Sequence, residues 1–123
     1  MNNYFIFLRL ILSSPNDDIK KLDTATKLFL DEIALKVSDG IEMTVGDALS
    51  LTHLGATATL HRKITCLLNL NLISLDHKGT DRRTKYLKLT STSLKYYEDL
   101  SNLISEKIYI KDSATTRDKS TTN

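Results

Sequence analysis

The sequence predicts a mainly helical fold carrying one small two-stranded β-hairpin, and three observations predict it. Apolar residues recur at steps of three and four along most of the chain, which is the spacing of amphipathic helices. Alternation of polar and apolar side chains, the strand signature, runs through the stretch Lys85–Thr90. With 4 Gly and 1 Pro in 123 residues, the chain lacks the turn-formers that a sandwich or barrel needs. Its 41% apolar and 26% charged residues are those of a globular chain, and the length predicts one domain over residues 1–110.

The N-terminal run Tyr4–Leu12 is apolar except for Arg9. A secretory leader would carry its positive charge before the run, and a bilayer span takes about 20 residues. The run therefore predicts a helix over residues 2–13, not an anchor, with Phe5, Leu8, Ile11 and Leu12 docking on this chain or on a second copy. Pro15 ends it, and Asn16 or Asp17 can cap the next helix. From Ile19 the positions Leu22, Thr26, Phe29, Ile33 and Val37 form one helical face, broadened by Leu30 and Leu35. Ser38-Asp39-Gly40 stops this helix. Thr44 with Asp47 three residues on predicts a capping box opening a short helix to about Leu51, broken by Gly55.

A further helix is predicted over residues 57–70. Leu60, Ile64 and Leu67 point into the core, and Asn71 is a left-handed terminator. Leu72–Asp76 and Lys85–Thr90 are the two strands, and HKGTDRRT between them is a charged hairpin tip. Residues 91–109 are helical again, with Tyr97, Leu100, Ile104 and Ile108 on one stripe. Residues 111–123 lack apolar periodicity and predict a disordered tail.

Charge is unevenly placed. Residues 1–52 carry five basic and eight acidic side chains, residues 53–90 seven basic and two acidic, and residues 91–123 five of each. The net charge of +2 thus conceals a block of +5 in 38 residues, the footprint that nucleic-acid binders show. Two helices joined by a tight turn and followed by a basic hairpin make a winged helix-turn-helix. Its core is predicted at about 19–90, flanked by N- and C-terminal dimerisation helices.

The stretch from Met43 to Thr90 resembles the DNA-binding part of MarR-type winged-helix regulators. The resemblance is carried by the helix start at Thr44-Val45, by Ala58-Thr59-Leu60-His61-Arg62, and by Leu72-Ile73. Asp81-Arg82-Arg83 at the wing tip and Leu89-Thr90 complete it. It implies that an arginine of that triplet reaches into a minor groove while Asp81 braces the wing. Asn71 stands where family members usually have glycine. The chain is also short for the effector pocket many members hold, so a small-molecule effector has no support in the sequence.

These readings converge on a sequence-specific DNA-binding transcription regulator acting as a homodimer. The helix at 57–70 is expected in the major groove, and the wing at 76–85 on the minor groove or backbone. The expected DNA contacts are Thr57, Thr59, His61, Arg62, Lys63, Arg82, Arg83 and Lys85, although Thr57 could equally be a helix cap. The expected dimer seam is Phe5, Leu8, Leu12, Tyr97, Leu100, Ile104 and Ile108. The alternatives are a winged helix used only for protein interaction, and a plasmid or phage replication or partition factor.

His53, His61, His77 and Cys66 match no common zinc spacing, so no metal or other cofactor is expected. The single Cys excludes a disulfide framework and fits a reducing, cytoplasmic setting. No phosphate-cradling glycine loop, nucleophile elbow or paired catalytic carboxylates occur, so an enzyme is not expected.

Overall fold

Several helices in this chain begin at side chains that satisfy the backbone groups a helix leaves open at its start. The computed structural model describes residues 2–13 and 17–121, with the side chains of residue 81 and residues 107–121 outside that description. The elements are α1 (Asn3–Leu12), α2 (Asp17–Lys20), α3 (Thr24–Ser38), α4 (Val45–Leu49), a 3-10 turn at Thr52–Leu54, α5 (Thr57–Asn69), β1 (Ile73–Lys78), β2 (Asp81–Leu89) and α6 (Ser91–Thr121). They divide into two compact units, one spanning Asp18–Leu94 and one made of the chain before and after it.

In the Asp18–Leu94 unit, the helix expected as continuous from Ile19 is two pieces. Asp23 takes an extended backbone and its Oδ1 accepts from the Thr26 amide at 2.7 Å, so α3 begins afresh at Thr24. Ile19 is still buried, as are Phe29, Leu30, Ile33 and Ala34 on α3. Leu35 does not broaden that face; it is 62% exposed, because the buried stripe runs along the Ala34 side. Gly40, at φ +80, closes α3: its amide donates to Val37 O and the next amide, of Ile41, to Lys36 O.

Thr44 and Asp47 form the expected capping box. The Asp47 amide donates to Thr44 Oγ1 at 3.1 Å, and the Thr44 amide to Asp47 Oδ2 at 3.0 Å. Leu60, Ile64 and Leu67 of α5 are all buried, against a core that includes Met43, Ala48, Leu72, Ile73 and Leu87. Asn71 adopts φ +57 and ends α5 as Gly40 ends α3, with its amide on Leu68 O and that of Leu72 on Leu67 O.

β1 and β2 pair antiparallel from Ile73↔Leu89 to His77↔Lys85, and then Lys78 pairs with Asp81. The tip is therefore tighter than the eight-residue loop expected from the sequence. Gly79, at φ +60, occupies the first position of a two-residue turn, and Arg82, Arg83 and Thr84 bulge out of the register. On the other edge of β2, the Leu87 amide donates to Met43 O at 2.7 Å and Thr44 bridges to Tyr86. Thr90 caps α6 by a reciprocal exchange with Ser93: the Thr90 amide donates to Ser93 Oγ and the Ser93 amide to Thr90 Oγ1. The same Thr90 hydroxyl donates to Asn71 O at 2.7 Å.

In the other unit, Asn2 caps α1 by accepting from the Phe5 amide at 2.9 Å. Leu10 is buried, whereas Tyr4, Phe5, Phe7 and Leu12 are exposed. On α6 the buried apolar residues among those described are Tyr96 and Leu100, so Tyr96, not Tyr97, joins the apolar stripe; the two rings meet edge to face with centroids 5.1 Å apart. The backbone of α6 continues to Thr121, beyond the helix end near 109 that the sequence predicted. No Gly or Pro follows Gly79, so nothing in the chain enforces a stop. Among the described residues no helix is long and apolar enough to cross a membrane.

Candidate nucleic-acid interface

Burial of Leu60, Ile64 and Leu67 turns the opposite side of α5 outward, and that side carries Ala58, His61, Arg62, Thr65, Cys66 and Asn69. Ala58, Arg62, Thr65 and Asn69 lie at i, i+4, i+7 and i+11, one continuous line along the helix. Thr65 and Asn69 were absent from the residues singled out in the sequence, although the same periodicity that buries Leu60 places them. The N-cap of α5 is Ala56, which leaves Thr57 as an exposed first-turn residue and not the cap. Arg62 Nη2 donates to Thr59 Oγ1 at 3.4 Å, holding the guanidinium over the first turn. The Thr65 hydroxyl is turned back onto His61 O at 3.1 Å.

Lys63 is placed differently from Arg62. It is half-buried, and its Nζ donates to Leu54 O at 3.4 Å, tying α5 to the turn that precedes it. That turn passes through Gly55 at φ +149, where a Cβ would meet Leu60 Cδ2 at 3.4 Å.

The wing divides its cations in the same way. Lys88 Nζ lies 3.0 Å from Asp76 Oδ2, and its hydrogen bond and charge hold the Asp76 carboxyl below its usual range. Lys78 pairs with Glu42. Arg82, Arg83 and Lys85 are exposed, the two arginines on the bulge and Lys85 where pairing resumes. The Asp81 side chain, expected to brace the wing, lies outside the described residues, as does Ile108 of the expected dimer seam.

Of that seam, Phe5 and Leu12 are exposed, Leu8, Tyr97 and Ile104 half-buried, and Leu100 buried. His53 sits 3.8 Å from Glu32, His61 stands on α5 and His77 in the wing. No three His, Cys, Asp or Glu residues gather into a possible metal site among the described residues. A mostly apolar recess of about 260 Å³ lies behind the wing, lined by Val37, Ile41, Met43, Tyr86 and Leu87 and edged by the two ion pairs.

A buried three-helix core, a tight turn into an outward-facing helix and a basic hairpin make up the Asp18–Leu94 unit. S. aureus MepR, in a structure of its DNA complex, is similar over 97% of this chain and 87% of its own, with TM-score 0.62 and 14% identity. The fold is that of a MarR-like winged helix. The Thermotoga maritima transcriptional regulator Tm0710 is similar over 97% of this chain and 84% of its own, with TM-score 0.60 and 18% identity. S. aureus MarR, solved with salicylate and kanamycin, is similar over 92% and 73%, with TM-score 0.52 and 23% identity. No family model matches the sequence, and no curated protein matches it. The likeness is thus one of fold, at 14–23% identity.

Proposed function

We propose that this chain is a sequence-specific DNA-binding transcription regulator that works as a cytoplasmic homodimer. In this reading α5 enters the major groove and the wing follows the minor groove or the backbone. The observation that carries it is the gathering of the basic block on one helix and one hairpin. Arg62, Arg82, Arg83 and Lys85 stand exposed on α5 and the wing, as do Lys78 and Lys88 within surface ion pairs. Arginine is the side chain best suited to both tasks there, bidentate contact with guanine and insertion at the phosphate backbone. The MepR structure holds DNA with the same fold, which supports the reading.

The homodimer rests on α1, where Tyr4, Phe5, Phe7 and Leu12 present an apolar surface to solvent. A helix apolar nearly all round needs burial on more than one side. Two copies related by a two-fold axis would bury that surface and present two recognition helices to half-sites about one helical turn apart. Selection of bound duplexes from a random pool tests this. An enriched inverted repeat is expected, and a recovered pool as random as the starting one refutes sequence-specific reading.

A further inference from the structure

The wing contains a histidine whose ring is committed to the backbone. His77 is half-buried, and its Nδ1 lies 3.3 Å from Thr84 O across the hairpin. A carbonyl only accepts, so Nδ1 carries the proton in this arrangement. The position of the bond matters. His77 pairs with Lys85 and Lys78 with Asp81, so the register of the hairpin shifts across Arg82, Arg83 and Thr84. Such a bulge disrupts the ladder and leaves backbone groups without strand partners. Thr84 O is the last carbonyl of the bulge before pairing resumes, and the His77 ring takes it.

We propose that His77 is a positioning residue for DNA binding. Its imidazole clamps the base of the bulge and so fixes the direction in which Arg82 and Arg83 leave the hairpin. The inference rests on the DNA-binding reading above and adds a residue to it. Releasing the His77 bond would widen the backbone conformations that the base of the bulge samples, and these would have to be narrowed when DNA binds. His77 itself need touch no nucleic acid.

The test compares His77→Ala and His77→Asn with the wild-type chain, using fluorescence anisotropy on labelled mixed-sequence duplex DNA over a range of salt. Asn can place an N–H donor close to where the imidazole Nδ1–H stands. His77→Ala is expected to weaken binding about fivefold, the scale of one lost hydrogen bond, with a shallower salt dependence as arginine–phosphate contacts loosen. His77→Asn restores both. In a background carrying Arg82→Ala and Arg83→Ala, His77→Ala has no further effect. Wild-type affinity and salt slope in His77→Ala overturn the inference while leaving the DNA reading intact, and equal losses in the Ala and Asn variants overturn it too.

If no variant and not even the wild type binds duplex, the DNA reading fails instead. Amide hydrogen exchange in the free protein then decides the clamp. Faster exchange confined to residues 82–84 in His77→Ala, reversed in His77→Asn, supports it, and unchanged exchange refutes it.

Discussion

In the proposed DNA-bound dimer, salt dependence measures how many of the exposed cations meet phosphate. Each protomer exposes Arg62, Arg82, Arg83 and Lys85, while Lys63, Lys78 and Lys88 are held by Leu54 O, Glu42 and Asp76. If three or four cations per protomer reach phosphates, a dimer neutralises six to eight. The slope of log K against log salt is then on the order of −5 to −7, at about 0.9 per phosphate. A monomer carrying the same contacts would give roughly half that.

Arg82→Ala with Arg83→Ala removes up to four contacts from the dimer and should flatten the slope by about 3 to 4. Both residues are exposed, so stability should move by less than about 0.5 kcal/mol. The matched control neutralises the internal pairs as pairs, Glu42→Gln with Lys78→Gln and Asp76→Asn with Lys88→Gln, so that no lone carboxylate faces the DNA. Those variants should keep the wild-type slope. Anisotropy of labelled duplex at several salt concentrations reads all of them. A flat wild-type response refutes DNA binding, and an equal loss in the paired-lysine variants refutes the assignment of these contacts to Arg82 and Arg83.

Phe5→Asp with Leu12→Asp places charge on the exposed apolar surface of α1, which each protomer tolerates because both side chains already face water. At about 1 kcal/mol of lost burial per side chain and four per dimer, association should weaken roughly a thousandfold, giving a monomer by sedimentation. Thr44→Ala removes one half of the capping box and should cost about 1 kcal/mol in chemical denaturation. Thr90→Val keeps the shape but loses the hydroxyl that bonds Asn71 O and receives the Ser93 amide. A cost of about 1 to 3 kcal/mol is expected, larger than for an exposed Thr. The Asp76 carboxyl is held below its ordinary 3.8 by the Lys88 hydrogen bond and charge, so its contribution is present above that value and disappears as pH falls through the folded-state pKa. Acid titrations of thermal stability should therefore be flatter in Asp76→Asn, and an unchanged acid limb would show that the pair is not formed in solution.

What could be read directly from the sequence was local. The Thr44–Asp47 box, the Leu60–Ile64–Leu67 stripe and the left-handed Asn71 each depend on residues within about one or two helical turns. The Asp23 cap escaped notice because Ile19 and Leu22 extend the apolar spacing backwards, and both are shielded even though the helix is interrupted between them and α3. Long-range partnerships had no sequence signal at all. Lys78 meets a carboxylate at position 42, and Lys63 looks like its neighbour Arg62 until the helix-turn-helix closes and brings Leu54 O to its ammonium. The sequence predicts HKGTDRRT as a charged hairpin tip but not its register shift, which depends on cross-strand pairing that the order of residues along one strand does not reveal.

These long-range contacts matter because a helix that reads base edges must be held in both rotation and translation. α5 is secured at each end by a different device. At its start, the Lys63–Leu54 bond and the narrow passage at Gly55 fix the angle between the helix and the preceding turn. At its end, Asn71 turns the chain left-handed and presents its carbonyl to the Thr90 hydroxyl, which at the same moment opens α6 by capping it with Ser93. One side chain therefore joins the exit of α5 to the entry of the helix that follows the wing. The hairpin runs between these two points and leaves and returns to a single hydrogen-bonded junction. Its reach toward a ligand is then set by the turn at Gly79 and the bulge at Arg82–Thr84, and not by slack at its base. The frame thereby gives the exposed cations of α5 and the wing a fixed base.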